Sequence, residues 1–202
     1  MTTVDQQAIK KARIALYGGA FDPVHKAHLE VARRAQSQAL LDRVVFIPAA
    51  QSPLKEHGPV ATDRERLEML ALALAGERLF SVDDSEIERG GVSYTLDTVR
   101  EYHARIPQAE LFWIIGGDQL ARLERWRAIE ELARQVTFLV LARPGYELSA
   151  PKIPGLFWER VNAPLMEESS TSIRERLKKG QPVEDLLPES VEAFIKEKGL
   201  YT

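Results

Sequence analysis

Short apolar runs that alternate with longer amphipathic segments constrain the fold of this 202-residue chain more than any other feature. Several of the runs are almost continuously apolar, which is typical of parallel strands that helices cover on both faces. The pattern predicts an α/β fold with a doubly wound, mainly parallel sheet and helices on both of its faces. The predicted strands cover 13–17, 43–48, 79–82, 110–115 and 136–142, and the predicted helices 28–41, 63–75, 94–105 and 128–134.

The last third of the chain has a different pattern. Pro and Gly are frequent at 144–154, a strand-like run follows at 156–161, and two short helices are predicted at 171–179 and 188–198. We expect a single domain whose last part is a small C-terminal helical lobe that packs on the same sheet. The predicted parts are an N-terminal extension (1–12), a Rossmann-like core (13–145) and the lobe (146–202).

The composition excludes several classes of protein. The chain is 45% hydrophobic and 28% charged, as globular proteins are, and no run approaches the ~18 apolar residues of a membrane span. Residues 1–13 lack the apolar core of a secretory signal, so we expect a cytoplasmic protein. The chain has no cysteine, which excludes disulfides, thiolate metal sites and cysteine nucleophiles. Its net charge of −3 argues against nucleic acid as a partner, so a local cluster must hold any polyanion.

The loop after the first predicted strand, 18–28, is the most informative segment. It reads Gly-Gly-Ala-Phe-Asp-Pro-Val-His-Lys-Ala-His. Glycines at a strand end let a ligand approach the backbone, and His25 and His28 are spaced to project to the same side of a helix start. Free amide groups and the helix dipole make such a place suitable for phosphate. A zinc site would need a further ligand, and neither common glycine-rich nucleotide fingerprint is present.

The loop resembles the G-G-[TS]-F-D-P-x-H-x-G-H signature of the nucleotidyltransferase superfamily, and specifically of bacterial nicotinate-nucleotide adenylyltransferases. Four further segments resemble that family's motifs in the same order, which is more specific than any one match. They are 52–55 (Ser-Pro-Leu-Lys), 93–98 (Ser-Tyr-Thr-Leu-Asp-Thr), 114–118 (Ile-Ile-Gly-Gly-Asp) with a tryptophan at 126, and 169–174 (Ser-Ser-Thr-Ser-Ile-Arg). Ala20, Ala27 and Leu54 depart from the family pattern.

The resemblance implies a set of site residues. Four side chains would act in catalysis: His25, His28, Lys55 and Arg174. The ATP site, which the C-terminal lobe would complete, would comprise Gly18, Gly19, Phe21, His25, His28, Gly116, Asp118, Ser170, Thr171, Ile173 and Arg174. The mononucleotide site would comprise Gly19, Ala20, Lys55, Tyr94, Thr95 and Trp126, to which we add Arg143 from its position after the fifth predicted strand.

The resemblance also implies the reaction. Adenylate would pass from ATP to nicotinic acid mononucleotide, giving nicotinic acid adenine dinucleotide and pyrophosphate, a step of NAD biosynthesis. Magnesium would enter through the phosphates of ATP and would not be held by the protein alone. The mononucleotide phosphate is already an anionic nucleophile at pH 7, so the protein has to align two polyanions and stabilise the charge that develops on pyrophosphate. Whether the chain forms a homo-oligomer stays open.

Several alternatives remain at this stage. A same-fold enzyme that acts on nicotinamide mononucleotide or phosphopantetheine would share the first loop and the 169–174 segment, and a silent nucleotide-binding regulator would share the pocket. A class I aminoacyl-tRNA synthetase fragment has a similar first loop, but this chain lacks the K-M-S-K-S loop. Taken singly, Ser93 reads as a helix cap and Lys55 as a turn residue, and Asp22 either contacts a ligand or fixes its own turn.

Overall fold

A computed structural model describes residues 11–53, 58–142, 147–164 and 169–202. Six strands form one parallel sheet in the order β3-β2-β1-β4-β5-β6. This order is that of the doubly wound nucleotide-binding fold, in which the chain reverses its direction of winding between β1 and β4. The strands are β1 (Arg13–Gly19), β2 (Arg43–Pro48), β3 (Phe80–Val82), β4 (Glu110–Gly116), β5 (Thr137–Ala142) and β6 (Phe157–Asn162).

Helices cover both faces of the sheet. They are α1 (Lys26–Gln38), α2 (Asp63–Ala73), α3 (Ser85–Arg89), α4 (Thr95–Arg105), α5 (Gly117–Leu120), α6 (Ile129–Ala133), α7 (Ser170–Lys178) and α8 (Glu189–Lys198), with a 3-10 turn at Leu123–Arg125. No helix in the described ranges is long and apolar enough to cross a membrane.

An apolar layer lies on each face of the sheet, and the two layers explain why the strands are almost continuously hydrophobic. Side chains alternate across a strand, so Phe112 and Ile114 of β4 face one layer while Leu111, Trp113 and Ile115 face the other. The first layer buries the inner faces of α1, α2, α7 and α8, and the second those of α4 and α6. Both faces of β4 are therefore covered, and this central strand is buried along its length.

The structure confirms the predicted fold class. Each of the five strands and six helices expected from the sequence is present, with ends that differ by at most three residues. The strand-like run in the last third is β6, which pairs with β5 and extends the sheet although it lies within the segment assigned to the C-terminal lobe. The short helices α3 and α5 were not predicted. The partition of the chain at 12 and 145 stays a prediction.

The sheet order determines where a ligand can bind. The carboxyl ends of β1 and β4 lie at the point where the winding reverses, and a crevice forms there in open α/β sheets. β1 leads into the 18–28 loop and α1, and β4 leads into Gly117 and Asp118. Segments far apart in sequence therefore meet at one edge of the sheet.

Candidate active site

The first loop passes very close to β4. A Cβ atom added at Gly18 would lie 2.6 Å from Cζ2 of Trp113, so glycine is required at this position by the neighbouring ring. The backbone of Gly18 and Gly19 is not in the left-handed region. Phe21, with φ of 48°, adopts it instead. Gly18 thus makes room for the Trp113 ring, while close approach of a ligand to these glycines stays a prediction. The unusual torsion falls on Phe21, whose ring is buried.

Two buried side chains hold this loop from behind. Arg66 is fully buried, and its Nη1 donates a hydrogen bond to the carbonyl of Ala20 (2.8 Å). The carboxylate of Asp22, 3% exposed, accepts hydrogen bonds from the backbone N–H of Val60 (2.8 Å) and Ala61 (3.0 Å). Asp22 therefore fixes the loop against the segment before α2.

The two histidines form a stacked pair at the start of α1. Their ring centroids lie 3.7 Å apart at an interplanar angle of 31°. The backbone N–H of His25 donates to Nδ1 of His28 (3.2 Å), and a neutral imidazole that accepts at Nδ1 carries its proton on Nε2. Burial lowers the pKa of His25 to about 4. With this pKa the ring of His25 is neutral at pH 7, and its buried Nδ1 has no hydrogen-bond partner among the described residues.

A cavity of about 490 Å³ opens beside this pair, and we call it the histidine cavity. It combines residues from β1, α1, the start of α5, the end of β5 and the start of α7. Its size lies within the range of small-molecule sites. Its lining includes Tyr17, His25, Ala27, His28, Gly116, Gly117, Asp118, Ser169 and Ser170.

A second cavity of about 420 Å³ lies next to the same strand end, and we call it the tryptophan cavity. Trp126 contributes an aromatic wall, and its indole packs edge-on against Phe138 with centroids 6.2 Å apart. The Trp126 Nε1–H is buried and has no hydrogen-bond partner among the described residues. The lining includes Gly18, Gly19, Ala20, Ser52, Pro53, Glu86, Ser93, Tyr94, Thr95, Trp113, Gln119, Arg125, Trp126 and Arg127.

The start of α4 forms one side of the tryptophan cavity. The cap residue is Tyr94, without a side-chain hydrogen bond, so the expectation that Ser93 caps the helix is wrong. The Ser93 hydroxyl instead accepts a hydrogen bond from the backbone N–H of Ala50 (3.0 Å). The first amides of a helix have no partner within it. Tyr94 provides no cap, and Thr95 and Leu96 of the first turn line this wall, whereas the N–H of Asp97 donates to the carbonyl of Tyr94 (3.0 Å).

A buried carboxylate lies beneath the same wall. Glu86 is 3% exposed and accepts a hydrogen bond from the hydroxyl of Thr98 (2.5 Å). Burial raises the pKa of Glu86, while its hydrogen bonds with Thr98 and Ser93 act in the opposite direction. The carboxylate thereby ties the segment before α4 to the helix itself.

A charged group lies at the rim of the tryptophan cavity. The guanidinium of Arg127 stacks 4.6 Å from the ring centroid of Tyr94 and donates to Oδ2 of Asp97 (3.1 Å). Arg127 was not expected from the sequence, because it carries no motif beyond its position after Trp126.

Arg174 lies against the first loop and not in either cavity. Its Nη1 donates to the backbone carbonyl of Asp22 (2.7 Å), and its Nη2 donates to Oγ1 of Thr171 (3.3 Å). In the same helix start, the hydroxyl of Ser170 donates to the carbonyl of Pro23 (3.0 Å). The start of α7 is thus fastened to the loop that carries the histidines.

The structure brings together most of the predicted site residues. Tyr94, Thr95 and Trp126 share one cavity with Gly18 to Ala20, and the histidines share the other with Gly116, Asp118 and Ser170. Phe21 and Ile173 are buried in the core, where they support the loop and α7. Lys55 and Arg143 lie outside the described residues, so their predicted roles stay predictions.

Known proteins resemble this chain in sequence over most of its length. Residues 16–176 match the family model described as Cytidylyltransferase-like. Relatives from Opitutus terrae and Thermus thermophilus, both named "Probable nicotinate-nucleotide adenylyltransferase", are 42% identical over 190 residues and 43% identical over 189 residues. The alignments cover 94% of this chain and 97% and 99% of those proteins. The chain belongs to the nicotinate-nucleotide adenylyltransferase family.

This membership confirms the family and the class of enzyme predicted from the sequence. A structure of Plasmodium falciparum nicotinic acid mononucleotide adenylyltransferase complexed with NaAD superposes with a TM-score of 0.78 at 18% identity, covering 94% of this chain and 97% of that one. At that identity the likeness shows a shared fold. In the described part of the chain, no group of three or more His, Asp or Glu side chains is placed to hold a metal ion.

Proposed function

We propose that the protein transfers adenylate from ATP to nicotinic acid mononucleotide, with ATP in the histidine cavity and the mononucleotide in the tryptophan cavity. The products are nicotinic acid adenine dinucleotide and pyrophosphate, as in NAD biosynthesis. The observation that carries the proposal is that the two cavities adjoin the same strand end, where Tyr17 lines one and Gly18 lines the other. Two nucleotides seated there would direct their phosphates toward the first loop.

The tryptophan cavity suits a pyridine that bears a carboxylate. Trp126 offers a flat face for stacking, and the uncapped first turn of α4 offers amide donors and the positive end of a helix dipole. Arg127, which is paired with the carboxylate of Asp97, supplies a guanidinium at the rim. Together these groups favour nicotinate over nicotinamide, since only the acid is negatively charged.

The histidine cavity suits the nucleoside triphosphate. Asp118 at the start of α5 can accept hydrogen bonds from ribose hydroxyls, and the start of α7 presents Ser169 and Ser170. In the tautomer that accepts from His25, His28 carries its proton on Nε2, where it can donate to a phosphoryl oxygen. Arg174 lies outside this cavity, against the first loop, and we assign it as the cation for the phosphate chain.

The chemistry demands little proton transfer. A phosphate oxygen of the mononucleotide forms a bond to the α-phosphorus of ATP while the bond from that phosphorus to the β-phosphate oxygen breaks, and pyrophosphate leaves with the electron pair. No general base is required, which agrees with a His25 that is buried and neutral. The protein contributes alignment of the two phosphates and donors for the charge that develops on the leaving group.

Magnesium fits this site as a companion of ATP. Among the described residues that line the histidine cavity, Asp118 carries the only carboxylate. Mg²⁺ is usually held by one or two carboxylates together with substrate phosphates, so this donor set suits an ion that arrives with the triphosphate. When bound, magnesium neutralises charge on the phosphates. A cytoplasmic location, as expected from the sequence, is part of this proposal.

A pyrophosphate-release assay tests the proposal. Purified protein is supplied with MgATP and, in parallel reactions, nicotinic acid mononucleotide, nicotinamide mononucleotide or phosphopantetheine. We expect the highest kcat/KM with the acid mononucleotide, because the cavity wall has donors and a cation for its carboxylate. Preference for nicotinamide mononucleotide would show that the tryptophan cavity has no site for the carboxylate of nicotinate. Binding of ATP without turnover on any acceptor would point to a nucleotide-binding regulator.

A further inference from the structure

One buried carboxylate that the proposed reaction does not use contacts the start of α4. Glu86 of α3 is 3% exposed and lines the tryptophan cavity. Its Oε1 accepts the hydroxyl of Thr98, a fully buried residue of α4, at 2.5 Å. Burial raises the pKa of Glu86, and the hydroxyls of Thr98 and Ser93 lower it by hydrogen bonding. Because Ser93 precedes the cap residue Tyr94 and Thr98 lies within the helix, the two hydroxyls flank the first turn of α4.

The same carboxylate is the meeting point of three segments that line the cavity. The backbone N–H of Ala50, after β2, donates to Oγ of Ser93 (3.0 Å). Nη2 of Arg89, in α3, donates to Oγ1 of Thr98 (3.1 Å). The loop after β2, the helix α3 and the start of α4 are therefore joined through one small polar cluster, with Glu86 at its centre.

The first turn of α4 depends on such contacts because it lacks local support. Its cap residue, Tyr94, forms no side-chain hydrogen bond with the turn. Thr95 and Leu96 occupy the first two helical positions, where a backbone N–H has no acceptor within the helix, and both residues line the cavity. The direction of these two N–H groups follows the orientation of the turn, and Glu86 is the buried group that holds the turn from α3.

We propose that Glu86 is a positioning residue that orients the first turn of α4 and thereby sets the preference of the tryptophan cavity for nicotinate over nicotinamide. Hydrogen bonds to a charged acceptor are about twice as strong as neutral ones, so a change in their direction costs the acid more than the amide. Without Glu86, the buried hydroxyl of Thr98 would lose its acceptor and the turn its link to α3. This inference rests on the proposed function, since the ligand is the pyridine carboxylate.

The chain contains a matched control at the other end of the same helix. Oδ2 of Asp83 accepts from the hydroxyl of Tyr102 (2.6 Å) and from Nη1 of Arg105 (2.9 Å), both in the last turn of α4. Oδ1 of Asp83 accepts from the backbone N–H of Ser85 (2.9 Å), the first residue of α3. None of these four residues lines either cavity. Asp83→Ala therefore removes an acidic link between α3 and α4 that is distant from the cavity wall.

The experiment measures kcat and KM for the acid and the amide mononucleotide by pyrophosphate release at saturating MgATP, with thermal unfolding of each variant as the check on folding. The readout is the ratio of kcat/KM with the acid to kcat/KM with the amide. We expect Glu86→Ala to lower this ratio about tenfold, mainly through KM for the acid, which is the scale of one hydrogen bond to a charged group. Asp83→Ala should leave the ratio unchanged.

Two further variants test the hydrogen bond itself. Glu86→Gln has the same shape and an amide oxygen that can accept from Thr98, so it should retain most of the wild-type ratio. Thr98→Val removes the donor from the other side of the bond and leaves the cavity lining intact, so it should lower the ratio as Glu86→Ala does. Thr98→Val also decides the matter if Glu86→Ala does not fold.

The outcomes separate this inference from the proposed function. If the wild type prefers the acid and the folded Glu86 and Thr98 variants keep that preference, the positioning role is wrong and the carboxylate site stands. Equal losses with both mononucleotides, or a lower ratio in Asp83→Ala, would overturn the inference because they would indicate a general loosening. A Glu86→Gln ratio no better than that of Glu86→Ala, or above that of the wild type, would also overturn it. If the wild type does not prefer the acid, the carboxylate site fails and the inference fails with it.

Discussion

His28 offers the sharpest test of the phosphoryl-transfer site. In the structure its Nδ1 accepts the His25 backbone N–H, and its other nitrogen is the one assigned to the transferring phosphate. Asparagine can place an oxygen near the position of Nδ1, whereas glutamine is long enough to place an amide N–H near the position of Nε2. The two variants therefore separate the structural bond from the donor to phosphate.

The expected magnitudes follow from the contacts. Both variants lose the ring packing of His28 against His25 and Phe21, at centroid distances of 3.7 and 5.1 Å. Such pairs contribute about 0.5–1.5 kcal/mol each, which is smaller than the 5–15 kcal/mol that typically separates folded from unfolded protein. Loss of one preorganised transition-state donor costs about 2.7–4 kcal/mol, or a factor of about 10²–10³ in kcat. His28→Asn should therefore fold and lose at least about a hundredfold in turnover.

The assay is pyrophosphate release at saturating MgATP and acid mononucleotide, with thermal unfolding measured on the same samples. We expect His28→Gln to retain more turnover than His28→Asn although both unfold at similar temperatures. Near-normal turnover in His28→Asn would show that the distal N–H does not assist the transfer. Higher turnover in His28→Asn than in His28→Gln would show that the bond to His25 matters more than the donor.

Three further predictions concern stability and the two cavities. Burial gives His25 a pKa of about 4 instead of its ordinary 6.5. Between these two pH values the unfolded chain binds more protons than the folded protein. The free energy of unfolding should therefore fall by up to roughly 3 kcal/mol as the pH is lowered from 6.5 to 4. Urea titrations across this range should show the fall, and His25→Asn should flatten it. Trp126→Ala should raise KM for the mononucleotide about tenfold or more in steady-state assays, as loss of base stacking does, while the ATP dissociation constant stays unchanged. Gly18→Ala should destabilise the protein by about 1–3 kcal/mol in urea because its methyl would overlap the Trp113 ring, whereas Gly58→Ala, which meets no atom within 4 Å, should not.

The strands and longer helices are predictable because the spacing of their apolar residues is typical of each kind of element. β4 reads as a buried strand from five consecutive apolar residues, and the structure shows them alternating between two apolar layers. The helices that face those layers carry the corresponding apolar stripes. Short helices such as α3 and α5 have too few residues to show a hydrophobic period, so the sequence pattern does not predict them.

The site is predictable where residues form a motif and unpredictable where they meet by folding. The histidine pair and the Tyr94 segment were found because their residues are neighbours in sequence. Arg66 and Tyr201 support the first loop from 46 and 179 residues away from their partners, and nothing local marks them. The assignment of Ser93 as a helix cap failed for a related reason, since its hydroxyl is bonded to Ala50, which a different strand brings near.

The most direct test of the two-cavity arrangement is a crystal structure of the protein with nicotinic acid adenine dinucleotide. We predict that the pyridine ring lies against Trp126, its carboxylate at the start of α4, and the adenosine beside Asp118 in the histidine cavity. The bridging phosphates should lie along the first loop. A dinucleotide bound in the reverse direction, or with its pyridine away from Trp126, would contradict the assignment.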